Sequence, residues 1–115
     1  MVKLPGQPTQ SSKSGRPVMV LLDALSKRWT LRVIWELTHQ GPSTFRELQA
    51  RCEDVSPTSL NQRLKDLRTL GLVLSGDQGY VLTDHGQSLA ELLLPLSQWA
   101  DHWAEKLEPE IDSAT

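Results

Sequence analysis

Apolar positions recur at helical spacing along most of this chain, and proline and glycine punctuate the breaks between the periodic stretches. Val18 to Leu25 is a short apolar run opened by Pro17, whose fixed φ suits the first position of a helix. In Trp29 to His39, Leu31, Val33, Ile34, Trp35 and Leu37 surround most of the circumference, which predicts a central buried helix stopped by Gly41-Pro42. Phe45, Leu48 and Cys52 make one stripe of a third, short helix. Ser56 is a natural N-cap and Pro57 a natural first residue for a fourth helix, with Leu60, Leu64 and Leu67 facing inward and Gly71 as its stop. Leu72 to Leu74 and Tyr80 to Leu82 read as strands joined by the turn Gly76-Asp77-Gln78-Gly79. Thr83 caps a long last helix carrying Leu89, Leu92, Leu93, Leu96, Trp99, Trp103 and Leu107, with Pro95 expected to kink it. Two short helices joined by a tight turn and followed by a hairpin are the parts of a winged helix-turn-helix. The predicted fold is therefore mainly α, with a short two-stranded wing and a long C-terminal dimerisation helix.

The ends of the chain break this pattern. Residues 1–16 are rich in Pro, Gly, Ser, Gln and Lys and predict a disordered arm. Residues 17–107 form the expected domain, and residues 108–115 a flexible acidic tail. A chain of 115 residues supports one domain with a modest core, which burial of further surface in a dimer would help. The single cysteine excludes an intrachain disulfide and fits a reducing cytoplasm. The sequence predicts neither a membrane span nor a signal peptide, since no run of about 18 apolar residues exists.

A net charge of -2 argues weakly against nucleic acid, but the distribution of charge changes that picture. Met1 to Trp35 holds six basic residues and one acid, while Gly71 to Thr115 holds eight acids and one lysine. A basic face can hold phosphates while an acidic end points away. On the Ser56 helix, Thr58, Gln62, Lys65 and Thr69 point opposite the leucine stripe, with Ser59 and Arg63 at its flanks. Such a face suits the major groove, where Gln, Arg, Ser and Thr reach base edges. Arg46, Arg51, Lys65 and Arg68 add cations for the DNA backbone. The candidate DNA-binding set is thus Ser56, Thr58, Ser59, Gln62, Arg63, Lys65, Arg68 and Arg46. Val20, Leu21, Leu92, Leu96, Trp99 and Trp103 are the candidate dimer contacts. No histidine has a Cys or His at ligand spacing and nothing resembles a nucleophile with its base, so neither a metal, a cofactor nor an enzyme is expected. Cys52 falls on the apolar stripe of its helix and reads as core.

The segments KRWTLRVIWEL, GPSTFREL, VSPTSLNQRLKDLRTLGLV and YVLTDHGQSL, followed by a late Trp, resemble the HxlR-type regulators, relatives of the MarR class. The resemblance spans roughly Pro17 to Trp103 and rests most on Ser56 to Leu64 with Gly71-Leu72-Val73, then on Leu82-Thr83-x-x-Gly86. It implies a prokaryotic, cytoplasmic, sequence-specific transcriptional regulator that binds a palindromic operator in double-stranded DNA as a homodimer, with residues 56–70 as recognition helix. A small-molecule effector is a further implied partner. Arg16 stands where oxidant-sensing members carry a cysteine, Ser26-Lys27 replaces the usual Gly-Gly, and the wing is short, with Asp77 and no arginine. The acidic balance and reduced wing leave a second reading, a winged-helix protein-interaction module that no longer binds DNA.

Overall fold

A computed structural model describes residues 2–9 and 13–114, with side chains of the last helix followed to Leu107. The elements run α1 (Pro17–Leu25), α2 (Thr30–Gln40), α3 (Phe45–Arg51), α4 (Pro57–Thr69), β1 (Val73–Gly76), β2 (Gly79–Leu82) and α5 (Asp84–Ala114).

Local chemistry sets most of these boundaries. Pro17 opens α1. α2 begins one residue later than the apolar pattern suggests, because Trp29 is its N-cap and lies in the left-handed region at φ 77°. For a bulky residue that conformation costs about 1–3 kcal/mol, which surrounding contacts must offset. The Arg28 guanidinium sits 5.3 Å from the Trp29 ring centre and supplies one such contact. α3 starts on a reciprocal capping box: the Glu47 amide donates to Thr44 Oγ1 at 3.1 Å, and the Thr44 amide donates to Glu47 Oε1 at 2.9 Å. Hydrogen bonds from the Thr44 amide first, and then from the Thr44 side chain, hold the Glu47 carboxyl below its usual pKa. Ser56 caps α4 by accepting from the Ser59 amide at 3.1 Å, with Pro57 following. α4 ends in a Schellman motif, Leu72 N–H to the Leu67 carbonyl at 2.9 Å and Gly71 N–H to the Arg68 carbonyl at 3.0 Å.

β1 and β2 pair antiparallel, from Val73 opposite Leu82 to Gly76 opposite Gly79. Asp77 and Gln78 make the loop between them. Ser43 adds a bridge on the far side of β2, exchanging backbone hydrogen bonds of 3.0 and 2.7 Å with Tyr80. The wing is thereby tied to the segment before α3. The core gathers Val33, Ile34 and Leu37 of α2, Leu48 of α3, Cys52, Leu60, Leu64 and Leu67 of α4, and Leu72 and Val73. α2 is central, but it is not buried all round: Leu31 and Trp35 are 42% and 38% exposed on the side turned toward α5.

The Leu82-to-Gly86 segment locks α5 onto the end of α4. Thr83 Oγ1 donates to the Gly71 carbonyl at 2.6 Å and accepts from the Gly86 amide at 3.0 Å. The Thr83 amide donates to the Leu72 carbonyl at 3.0 Å. A Cβ at Gly86 would run into the Leu72 carbonyl oxygen. Gly86→Ala should therefore destabilise the domain by about 1–3 kcal/mol, the range for overpacking against a fixed backbone. Thermal or urea unfolding checks it, and an unchanged midpoint would show that the approach can relax.

Both ends depart from expectation. The arm's composition predicts disorder, yet Val2 is only 7% exposed and the Gly6 amide donates to the Gly15 carbonyl at 2.9 Å. One apolar side chain and one backbone contact escape a compositional average. Residues 10–12, part of the same expectation, lie outside the described residues. At the other end the backbone stays helical to Ala114 rather than loosening after Leu107.

Candidate nucleic-acid interface

α3, the turn at Cys52–Ser56 and α4 form the helix-turn-helix. Glu53 takes a left-handed φ of 58° in that turn. The pair is braced from behind by Arg51, which donates to Ser43 Oγ at 2.6 Å and pairs with Glu47 at 3.5 Å. Arg32 of α2 donates to the Arg51 carbonyl at 2.8 Å while pairing with Glu36 at 3.2 Å. Arg51 thus ties the frame together, whereas Arg46 on the same helix is exposed.

α4 presents Ser56, Thr58, Gln62, Lys65, Arg68 and Thr69 to solvent, with Ser59 and Arg63 half-buried at the flank. The central residue of this surface is one that the helical pattern does not single out. Asp66 is 6% exposed although charged. Its Oδ1 accepts from Gln62 Nε2 at 3.0 Å, and its Oδ2 lies 3.4 Å from Arg63 Nη2. One buried carboxylate therefore orients both side chains best suited to reading bases. The spacings Gln62-x-x-x-Asp66 and Arg63-x-x-Asp66 are helical neighbour spacings and carry that signal in the sequence. Arg63 Nε is buried without a partner among the described residues.

The wing offers little charge. Its tip is Ser75-Gly76-Asp77-Gln78-Gly79, all but Gly79 exposed, with an acid and no base. Leu74 is 46% exposed beside it.

Away from α4, the last helix carries an open apolar stripe. Leu92, Leu96, Trp99 and Trp103 are 70%, 57%, 62% and 52% exposed, and the two indoles stack at 6.0 Å and 12°. On α1 the exposed apolar side chains are Val18 and Leu22. Leu21 is half-buried. Val20, expected at a dimer contact, is 2% exposed and faces its own chain, because the buried side of α1 runs through Val20 and Ala24, one helical turn apart. A cavity of about 200 Å³ between α2 and α5 is lined by Trp35, Thr38, His39, Ala90, Glu91 and Leu93.

Cys52 is fully buried, and burial pushes its thiol pKa up. Among the described residues no group of three or more His, Cys, Asp or Glu could hold a metal ion. None of the described helices is long and apolar enough to cross a membrane.

A helix-turn-helix with a polar, cation-edged second helix, a hairpin wing and a long terminal helix defines a winged helix-turn-helix transcriptional regulator. The chain belongs to the HxlR-like helix-turn-helix family, whose model matches residues 24–108. The uncharacterized HTH-type transcriptional regulator YvaP of Bacillus subtilis is 34% identical over 91 residues, a match covering 73% of this chain and 83% of that protein. Quinone-bound YodB of B. subtilis superposes with a TM-score of 0.69 at 29% identity, covering 74% of this chain and 96% of that one. A possible HxlR family transcriptional factor from Thermoplasma volcanium gives 0.62 at 30% identity, covering 74% and 82%. The protein is thus a DNA-binding transcriptional regulator and not an enzyme, and the reading of a module that has lost DNA gives way to that family.

Proposed function

We propose that the protein acts in the cytoplasm as a homodimer on a palindromic operator, with α4 of each copy in successive major grooves. The observation that carries this reading is the Gln62–Asp66–Arg63 cluster: two side chains that match base edges are oriented before any DNA arrives. Ser56, Thr58 and Ser59 place the helix N-terminus against the backbone, where amides and hydroxyls meet phosphates. Lys65, Arg68 and Arg46 contribute charge. The open stripe on α5, with Val18 and Leu22 of α1, supplies the apolar surface for pairing. Selection of genomic fragments by the purified protein, followed by footprinting, tests the reading. It should return paired half-sites about 34 Å apart along one face of the duplex. Enrichment of no common sequence would remove the operator claim.

A small-molecule effector fits the cavity between α2 and α5, where Trp35 and His39 rings lie 4.1 Å apart. YodB holds a quinone in one of its structures. In this chain thiol chemistry is a poor route to such sensing. The thiolate is the reactive species, and a raised pKa keeps Cys52 protonated at neutral pH. The raised pKa also means that the folded state holds this proton more tightly than the unfolded one. Its contribution to stability is complete below the unfolded thiol pKa and is lost as pH rises toward the folded value. Cys52→Ala should leave DNA binding, and its response to a quinone or diamide, as in the parent. A response that disappears with the thiol, at unchanged stability, would make Cys52 the switch.

A further inference from the structure

We propose that the N-terminal arm is a second DNA contact, supplying through Lys3 and Lys13 the phosphate-binding charge that the wing lacks. The proposal rests on α4 entering the major groove. The first described residues run beside α1 and α4. Val2 shares a groove with Gln62, Lys65, Asp66, Arg68 and Thr69 of α4. It also borders a cavity with Lys3, Val20, Ala24 and Lys27 on the α1 side. Val2, Val20 and Ala24 are all buried and stand apart from the main core cluster, so a small apolar contact of its own seats the arm.

The arm is also closed on itself. The Gln7 amide donates to the Leu4 carbonyl at 3.0 Å, the Leu4 amide to Gln7 Oε1 at 2.8 Å, and the Gly6 amide to the Gly15 carbonyl at 2.9 Å. At that crossing a Cβ on Gly15 would collide with the Gly6 backbone. Lys3 and Lys13 are exposed on this frame, and residues 1–16 contain no acid. α4 has 13 residues, so it is about 20 Å long and exceeds the width of a major groove, about 12 Å. Its later residues, Lys65 and Arg68, therefore reach the phosphate wall, and the arm beside them meets the same strand. A winged helix ordinarily flanks its reading helix with the hairpin. Here the hairpin tip carries Asp77 and no base, while the arm borders the α4 groove through Val2 and exposes Lys3 and Lys13.

The test is salt titration of the full-length protein on a selected operator and on random duplex of equal length. Lys3→Gln/Lys13→Gln should weaken both, by roughly fivefold per lysine near 0.1 M salt, and flatten the slope of log affinity against log salt by about 0.9 per phosphate engaged. Val2→Asp, which keeps both lysines but unseats the arm, should weaken both in the same direction without abolishing folding, as followed by circular dichroism. Unchanged affinity and slope in the lysine variant would overturn the proposal. Tighter binding by Val2→Asp would also overturn it, showing that the arm covers the reading face as a brake. Lys65→Ala/Arg68→Ala, measured alongside, separates the two levels. If it weakens binding while the arm variants do not, only the arm proposal fails. If neither pair matters, the placement of α4 in the groove fails with it.

Discussion

Leu96→Glu and Trp99→Glu should each convert the protein from dimer to monomer at micromolar concentration in sedimentation. Leu92, Leu96, Trp99 and Trp103 follow one stripe of α5, each more than half exposed. Leaving so much leucine and tryptophan in water is costly in a domain of this size. Burial of one such side chain is worth roughly 1.5–3 kcal/mol. A two-fold interface presents each position twice, so one substitution removes about 3–6 kcal/mol. That corresponds to a weakening on the order of 10²–10⁴ in the dimer constant, before any penalty for a buried carboxylate. Leu74→Glu, on the equally apolar but isolated wing position, should leave the mass unchanged. Operator affinity should fall as dimerisation is lost, because two half-sites are then no longer read together. The unmutated protein sedimenting as a monomer at micromolar concentration would refute the arrangement, and the stripe would need another occupant.

The parts of this fold most legible in the sequence are those set by local chemistry. Ser56, Pro57 and Gly71 bound α4 because a side-chain cap, a fixed φ and a Schellman turn act within a few residues. Gly76 to Gly79 likewise announce the hairpin. What stays hidden depends on contacts between distant segments. The Ser43 bridge to Tyr80 has no local signature. The burial of Val20 depends on which side of α1 meets its own chain, and an apolar run that is hydrophobic nearly all round does not say. Val2 is a lone apolar residue in a polar arm, and its burial depends on distant residues of α1 and α4 that border it. Trp29 in a left-handed conformation shows the limit of apolar periodicity, since an aromatic side chain enters the pattern wherever its backbone points. Asp66 is different. Its partners lie three and four residues away, so its spacing is visible. A charged residue beside a leucine stripe nevertheless reads first as surface, and only the fold shows it buried.

Asp66 also shapes the second large effect, the loss of sequence reading on α4. Gln62→Ala should cost about 1–3 kcal/mol on the best operator and relax one base position, the range for a bidentate pairing with a base edge. Gln62→Ala/Arg63→Ala should remove most of the preference for operator over random DNA. Lys65→Ala/Arg68→Ala should instead weaken both DNAs alike and flatten the salt slope by about one unit for each phosphate no longer held. Asp66→Ala separates orientation from direct reading. It removes no group expected to touch DNA, yet it frees the Gln62 amide and leaves the Arg63 guanidinium, only 18% exposed, without its carboxylate. Stability should drop by about 1–3 kcal/mol for the unpaired buried donor. Operator affinity should fall because two readers must then be ordered on binding. Random-DNA affinity should hold or rise, since a negative charge beside the phosphates is gone. The ratio of operator to random binding is therefore the informative quantity, measured at a temperature where the variant is fully folded. If that ratio is unchanged in Asp66→Ala while Gln62→Ala/Arg63→Ala reduces it, the carboxylate stabilises the helix without positioning its readers. If both double variants bind each DNA as the parent does, α4 is not the reading helix at all.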